Sequence, residues 1–140
     1  MVFRDQTTSF RKLASISHDR GETWTQPVLT NVPDARTKQS AGNLPDGTAY
    51  LVGNFVENRS RFPLAVALSA GGQVFDRAWL LRAGGRALPK MRHEGRHKRA
   101  GYSYPKSAVI GDSLCVAYAT NKEDIELTCV PLAALQQAQR

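Results

Sequence analysis

Three groups of residues in this chain have types and spacings that could do chemistry. Gly101-Tyr102-Ser103-Tyr104-Pro105 carries two phenols two residues apart, which on a β-strand face the same way. Arg4, in Phe-Arg-Asp, and Arg61, in Arg-Phe-Pro-Leu, sit at strand ends, and Lys38 precedes another strand. Guanidinium groups fork onto carboxylates and aromatic rings stack on a pyranose face, so arginines gathered with tyrosines suit an anionic sugar. Asn43, in Ala-Gly-Asn-Leu-Pro-Asp-Gly, is a candidate for a sugar hydroxyl, or equally a cap for the following turn. The third group, His93-Glu94-Gly95-Arg96-His97, matches the His-Glu-x-x-His zinc pattern. That chemistry needs a helix, so that both imidazoles share a face. Here Gly95 lies inside the motif, Gly84, Gly85, Pro89 and Gly101 flank it, and no apolar stripe exists for a helix to bury. Its cationic surroundings would also repel a dication. The segment reads as a solvated loop, and neither a metal nor a cofactor is expected.

Charge narrows the class of partner. The chain has 19 basic and 12 acidic residues, a net +7. Residues 82–106 hold Arg82, Arg86, Lys90, Arg92, Arg96, Lys98, Arg99 and Lys106 against Glu94 alone, so this segment carries the whole excess. A local basic patch does not make a surface that coats nucleic acid, and no aromatics interleave it before Tyr102. No window is long and apolar enough to span a membrane. A glycan is the expected partner, with neither nucleic acid nor membrane. Cys115 and Cys129 fall on strands expected to be neighbours, and two free buried thiols are the reading adopted.

The elements that must position these residues are strands. Short runs rich in Val, Leu, Ala, Tyr and Phe are broken by Gly, Pro, Asn and Asp. Val2–Asp5 and Leu13–Ser17 read as a hairpin, with Gln26–Thr30 outside it. Ser40–Leu44, Thr48–Asn54, Pro63–Ser69 and Phe75–Arg82 read as a four-strand unit, with a turn at Pro45-Asp46-Gly47. Ser103–Ile110, Ser113–Thr120 and Asp124–Pro131 form the last unit. Leu132–Arg140 reads as a frayed helix or a disordered end.

Between the second and third strands lies Ser17-His18-Asp19-Arg20-Gly21-Glu22-Thr23-Trp24, which fits Ser-x-Asp-x-Gly-x-Thr-Trp. Ser17, Asp19 and Thr23 can close a tight turn through side-chain hydrogen bonds. Gly21 supplies a backbone conformation that a β-carbon resists. Trp24 is expected to open the next strand and bury its ring. Ser69-Ala70-Gly71-Gly72-Gln73-Val74-Phe75 is a degenerate copy 52 residues later. This pattern resembles the Asp box of sialidases and related BNR-repeat β-propellers, across about residues 2–132. The resemblance implies an all-β fold, a partial β-propeller of about three blades from a probable six. A blade needs roughly 40–50 residues. The division it implies is 1–31 for the end of one blade, 38–82 for a complete blade, 83–101 for a basic linker, 102–132 for the last blade and 133–140 for a tail.

Blade topology puts the Asp boxes on one face. On the other it gathers Arg4 and Asp5, Arg36 and Lys38, Asn54–Arg61, the basic linker, Tyr102 and Tyr104, and Asn121–Asp124. The resemblance also implies chemistry. Sialidases hold a substrate carboxylate with three arginines and use a tyrosine at the start of an inner strand as nucleophile. Tyr104 and Tyr102 are the candidates here, with Arg4, Arg61, Asn43 and Lys38 as substrate-binding candidates. A phenol needs a carboxylate base and cationic neighbours to attack at neutral pH. Asp5 and Glu57 lie on the right side, but neither has a motif behind it. The expectation is hydrolysis at a sialic or uronic glycan, with a non-catalytic glycan- or protein-binding propeller as the alternative. Three blades alone are expected to be inactive and prone to self-association, in contrast to a monomeric parent ring. The compartment stays open, a secreted or periplasmic parent being compatible.

Overall fold

The computed structural model describes residues 1–136, and ten strands account for nearly all of its regular structure. They form three antiparallel sheets whose strands pair in chain order. The first holds β1 (Val2–Arg4), β2 (Arg11–Ala14) and β3 (Val28–Pro33). The second holds β4 (Ser40–Asn43), β5 (Ala49–Gly53), β6 (Leu64–Ser69) and β7 (Arg77–Arg82). The third holds β8 (Tyr102–Ile110), β9 (Ser113–Thr120) and β10 (Asp124–Pro131). A single α-helical turn, α1 (Leu132–Gln136), ends the described chain. No described helix is long and apolar enough to cross a membrane.

The burial pattern follows the sequence. β5 and β6, Ala-Tyr-Leu-Val-Gly and Leu-Ala-Val-Ala-Leu-Ser, are apolar up to the buried Ser69 and are covered on both faces. The edge strands β7 and β10 alternate, as half-exposed strands do. Val52, Leu64, Val66, Leu68, Leu114, Val116 and Tyr118 form one core between the second and third sheets. The first strands of those sheets meet where Ser40 Oγ lies 2.8 Å from Ser107 Oγ and accepts from Ser107 N–H (3.1 Å). Gly42 permits this contact. A β-carbon there would fall 2.6 Å from the Tyr50 hydroxyl, which accepts from Ser107 Oγ at 3.3 Å.

Several expectations are corrected. β2 and β3 are shifted from Leu13–Ser17 and Gln26–Thr30, because Ser15 and Ile16 bond Thr25 and so belong to the turn. Trp24 neither opens a strand nor buries its ring: it is 44% exposed, four residues before β3. The cysteines are not free. Register places Cys115 directly opposite Cys129 on β9 and β10, their Cα atoms 4.0 Å apart, and they form a disulfide. Residues 132–136 are not frayed: Leu132 N–H donates to Asp112 O (2.7 Å), Leu135 is buried, and Gln136 bonds Asp46 (3.0 Å). Residues 137–140 of that tail lie outside the described chain.

Candidate functional site

The Ser17–Trp24 turn is closed by its own side chains. Ser17 Oγ accepts from Gly21 N–H and donates to Asp19 Oδ1, both at 2.7 Å. Asp19 accepts from Thr23 N–H (2.9 Å) and from the Thr23 hydroxyl. These bonds, Thr23 first, hold the Asp19 carboxyl well below the usual range. Gly21 takes φ +98°, and the Trp24 indole N–H donates to Gly21 O at 3.0 Å. This turn and the one after β6 line a common groove, where Ser17, Gly21 and Trp24 face Gly71, Gly72 and Gln73. The side chains of Ser17, Asp19, Thr23 and Trp24 are all engaged in making the turn.

The cationic candidates lie at the other end of the strands. β1 carries Arg4 at the end opposite Val2, whose partner Ala14 leads into the turn. A cavity of about 400 Å³ opens there, lined by Arg4, Arg36, Arg59, Arg61, His97 and Arg99. Arg4 ends β1, Arg36 lies between β3 and β4, Arg59 and Arg61 come from the β5–β6 loop, and His97 and Arg99 come from the basic linker. Arg4 Nη1 donates to Arg36 O (3.2 Å), and Arg36 in turn bonds Gln6 O. Arg61 is half-buried, and burial, with Arg99 and Arg4 nearby, pushes its pKa down. Its Nη1 donates to Ser103 Oγ at 3.2 Å, while its Nε is buried with no partner. Beneath this lies a buried ion pair, Lys12 to Asp34 at 2.8 Å. Asp34 Oδ1 also accepts from Arg36 N–H (2.9 Å), which fixes the turn that presents Arg36.

Tyr104 sits beside this cavity under three cations. Lys122 Nζ is 5.5 Å from its ring centroid, and Lys38 Nζ and Arg61 Cζ are each 5.9 Å away. A hydrogen bond from Lys122 lowers its phenol pKa, with Arg61 and Lys38 assisting against partial burial. The backbone explains how the ring gets there. The β8–β9 register slips between Ser103 and Lys106, and Tyr104 takes φ +56°. Such a bulge re-aims a side chain, and a bulky residue at positive φ is strained.

The bulge overturns the expectation that Tyr102 and Tyr104 face the same way. Tyr104 is 44% exposed among the cations, while Tyr102 is 3% exposed and packs edge-on against Tyr118 at 5.6 Å. Burial, and secondarily Glu126, pushes the Tyr102 phenol up. Asn43 is also separated from the group. It pairs with Ala49, which pairs with Ser69, so it stands exposed at the turn end of its sheet. Arg4, Arg61, Lys38 and Tyr104 are brought together; Tyr102 and Asn43 are not.

The two acids weighed from sequence are occupied. Asp5 accepts from Thr7 N–H (3.0 Å) and from the hydroxyls of Ser9 and Thr7, which hold it at about 2. Glu57 pairs with Arg11 at 2.8 Å. Residues 93–97 are loop, as expected from Gly95 and its flanks. That loop is held by Glu123, which the sequence reading passed over. Glu123 accepts from the backbone N–H of Arg92 and His93 (both 2.8 Å) and bonds Lys98 Nζ. Lys98 first, then these amides, hold its carboxyl at about 2. Lys122, Arg59 and Arg99 were also not singled out, although each lies in a segment assigned to this face.

No curated protein matches the chain. The sequence profile described as a BNR repeat-like domain matches residues 1–116, which takes in all of the first two sheets and both box-like turns. The chain therefore belongs to the BNR repeat-like domain family.

Proposed function

We propose that this chain is the sialidase-like, carbohydrate-active part of a β-propeller, with its three sheets as successive blades. In this reading the cations over Tyr104, at the edge of the cavity, hold the carboxylate of an anionic glycan, of sialic or uronic acid type. The observation that carries it is the set of cations converging on Tyr104 and the adjoining cavity with no acidic partner among the described residues. Arg61 is the central ligand: it lines the cavity, lies over the ring and keeps a buried donor free. Arg4 and Lys38 flank it. In a hydrolase, Tyr104 would attack the anomeric carbon as phenolate while the bond to the leaving oxygen breaks. Water would then cleave the tyrosyl glycoside. The lowered phenol pKa favours that role.

One observation favours a binding module instead. No described carboxylate lies against Tyr104 to take its proton, since Asp5, Glu57 and Glu123 are all engaged elsewhere. Two measurements separate these readings. Titration of galacturonic acid or N-acetylneuraminic acid should give saturable NMR shifts at Tyr104, lost in Arg61→Ala and not produced by galactose. An equal response to galactose overturns the anionic-sugar reading. A fluorinated sialosyl fluoride that labels Tyr104 selects the hydrolase; saturable binding without label selects the binding module.

A further inference from the structure

Charge in the candidate site exceeds what one carboxylate can balance. The described ion pairs engage Arg11, Lys12, Arg77, Arg82, Arg92 and Lys98. None of the basic groups of the cavity or around Tyr104 is among them. Two clusters can be distinguished, with Arg61 shared between them. On one side Lys38 and Lys122 stand with Arg61 over Tyr104. On the other, Arg36, Arg59 and Arg99 face the cavity. Like charges held together without counterions oppose folding, and the chain has acids that could neutralise them. Glu123 and Asp5, a few residues away in the same region, are instead consumed by backbone amides, hydroxyls and Lys98.

We propose that the site takes a glycan bearing two anionic groups, a carboxylate at the Tyr104 side and a second anion at Arg59 and Arg99. The second anion is a neighbouring uronate or a sulfate on the same chain. This rests on the reading of the cavity as an anionic-sugar site. The space is sufficient: about 400 Å³ lies within the range of ligand pockets, ~300–1,000 Å³. Arg4 and Arg36 are held through backbone carbonyls, so their forks are already oriented. Arg59 and Arg99 are exposed and make no side-chain hydrogen bond among the described residues, so they are free to close on a ligand. The cations over Tyr104 and those lining the cavity, joined through Arg61, suit two charges on one glycan better than a single charge.

The test uses the full chain with digalacturonic acid, its monomethyl ester and galacturonic acid, by calorimetry at low salt. Digalacturonate should bind at least tenfold more tightly than the monoester, about 1.4 kcal/mol. Arg59→Ala/Arg99→Ala should abolish that advantage and leave galacturonic acid within twofold. Both side chains are exposed, so an unchanged melting transition should accompany the loss. Equal affinity for digalacturonate and monoester overturns the second-anion inference while leaving the anionic-sugar reading intact. Failure of all three acids to saturate defeats both. The trinucleoside diphosphate TpTpT, with two phosphodiester charges, should bind more weakly than digalacturonate; tighter binding would assign the site to nucleic acid and overturn the proposal.

Discussion

Replacing Gly101 with alanine should damage stability and site together. Gly101 takes φ +123°, where a side chain is strained. A β-carbon there would fall 2.6 Å from both Arg61 Cβ and Arg61 O, too close for backbone to absorb. The contact is also a junction. Arg61 O accepts from Tyr102 N–H (2.7 Å), and Gly101 is tied to Asn121 by bonds of 2.9 and 2.8 Å. The dihedral cost is roughly 1–2 kcal/mol, and overpacking of this kind adds about 1–3 kcal/mol. Gly101→Ala should therefore lose about 2–5 kcal/mol in urea unfolding. Gly47 is the control. It has φ +87° and nothing within 4 Å of its β-carbon position, so Gly47→Ala should lose only the dihedral part. Loss of unfolded-state entropy affects both alike and cancels in the comparison. Because Arg61 must move, Gly101→Ala should also weaken galacturonate binding, whereas Gly47→Ala should not. Equal destabilisation by the two substitutions, with binding intact in both, would refute the steric argument.

Acid should destabilise the fold between the ordinary carboxylate range and about pH 2. Glu123 lies at about 2 against an ordinary 4.5, and Asp5 at about 2 against 3.8. A depressed folded pKa means that stability is fully present above the ordinary value and is lost as pH falls towards 2. Unfolding midpoints should fall from pH 4.5 to 2, and Glu123→Gln should flatten the upper part of that slope. Lys12→Met should cost about 3–5 kcal/mol because it strands a buried carboxylate, and Lys12→Met/Asp34→Asn should recover at least half. A cost below 1 kcal/mol for the single variant would contradict the burial of that pair. Reducing Cys115–Cys129, which closes a separation of 14 residues, should lower stability by about 2–3 kcal/mol with galacturonate binding unchanged.

Short runs of Val, Leu, Ala, Tyr and Phe, the turn residues between them and the Asp-box resemblance made the all-β class and the pairing order legible, because hairpin neighbours are local and their turns carry Gly, Pro and Asp. The loop-side assignment came from the blade topology that the Asp-box resemblance implies together with alternating strand direction, and it gathered Arg4, Lys38 and Arg61 around Tyr104 from segments up to 100 residues apart. Parity failed within β8. A one-residue bulge reverses which side each residue faces, and Pro105 was its only visible cue: it lacks the N–H that a regular ladder needs. The roles of Tyr102 and Tyr104 consequently could not be separated from spacing. The disulfide was missed for a related reason. Strand adjacency was read correctly, but opposite registration of Cys115 and Cys129 depends on the length of the Asn121–Glu123 turn. Lys12 and Asp34 left no trace, since a buried charge pair looks in sequence like two surface residues.

The two ends of the strands differ in how far they satisfy ordinary folding rules, and that difference argues for where function lies. At one end the Ser17–Trp24 turn ties Ser17, Asp19 and Thr23 into local hydrogen bonds. Its one strained non-glycine residue, Arg20 at φ +61°, lies inside that closed turn, and the exposed Arg20 and Glu22 do not form a cluster of one sign. At the other, a tyrosine is held at φ +56°, Arg36 at +59° and His97 at +60°, and arginines crowd without acids. Backbone strain of this kind costs on the order of 1–3 kcal/mol per residue. Like-charge repulsion adds to it. A sequence free to relax could place glycine at 104 or an acid at 59 at no cost to the core, since both side chains are exposed. Features that oppose folding persist where something else requires them. The strained phenol and the unneutralised guanidinium groups share one cavity mouth, so a single anionic ligand would relieve the repulsion and use the strain.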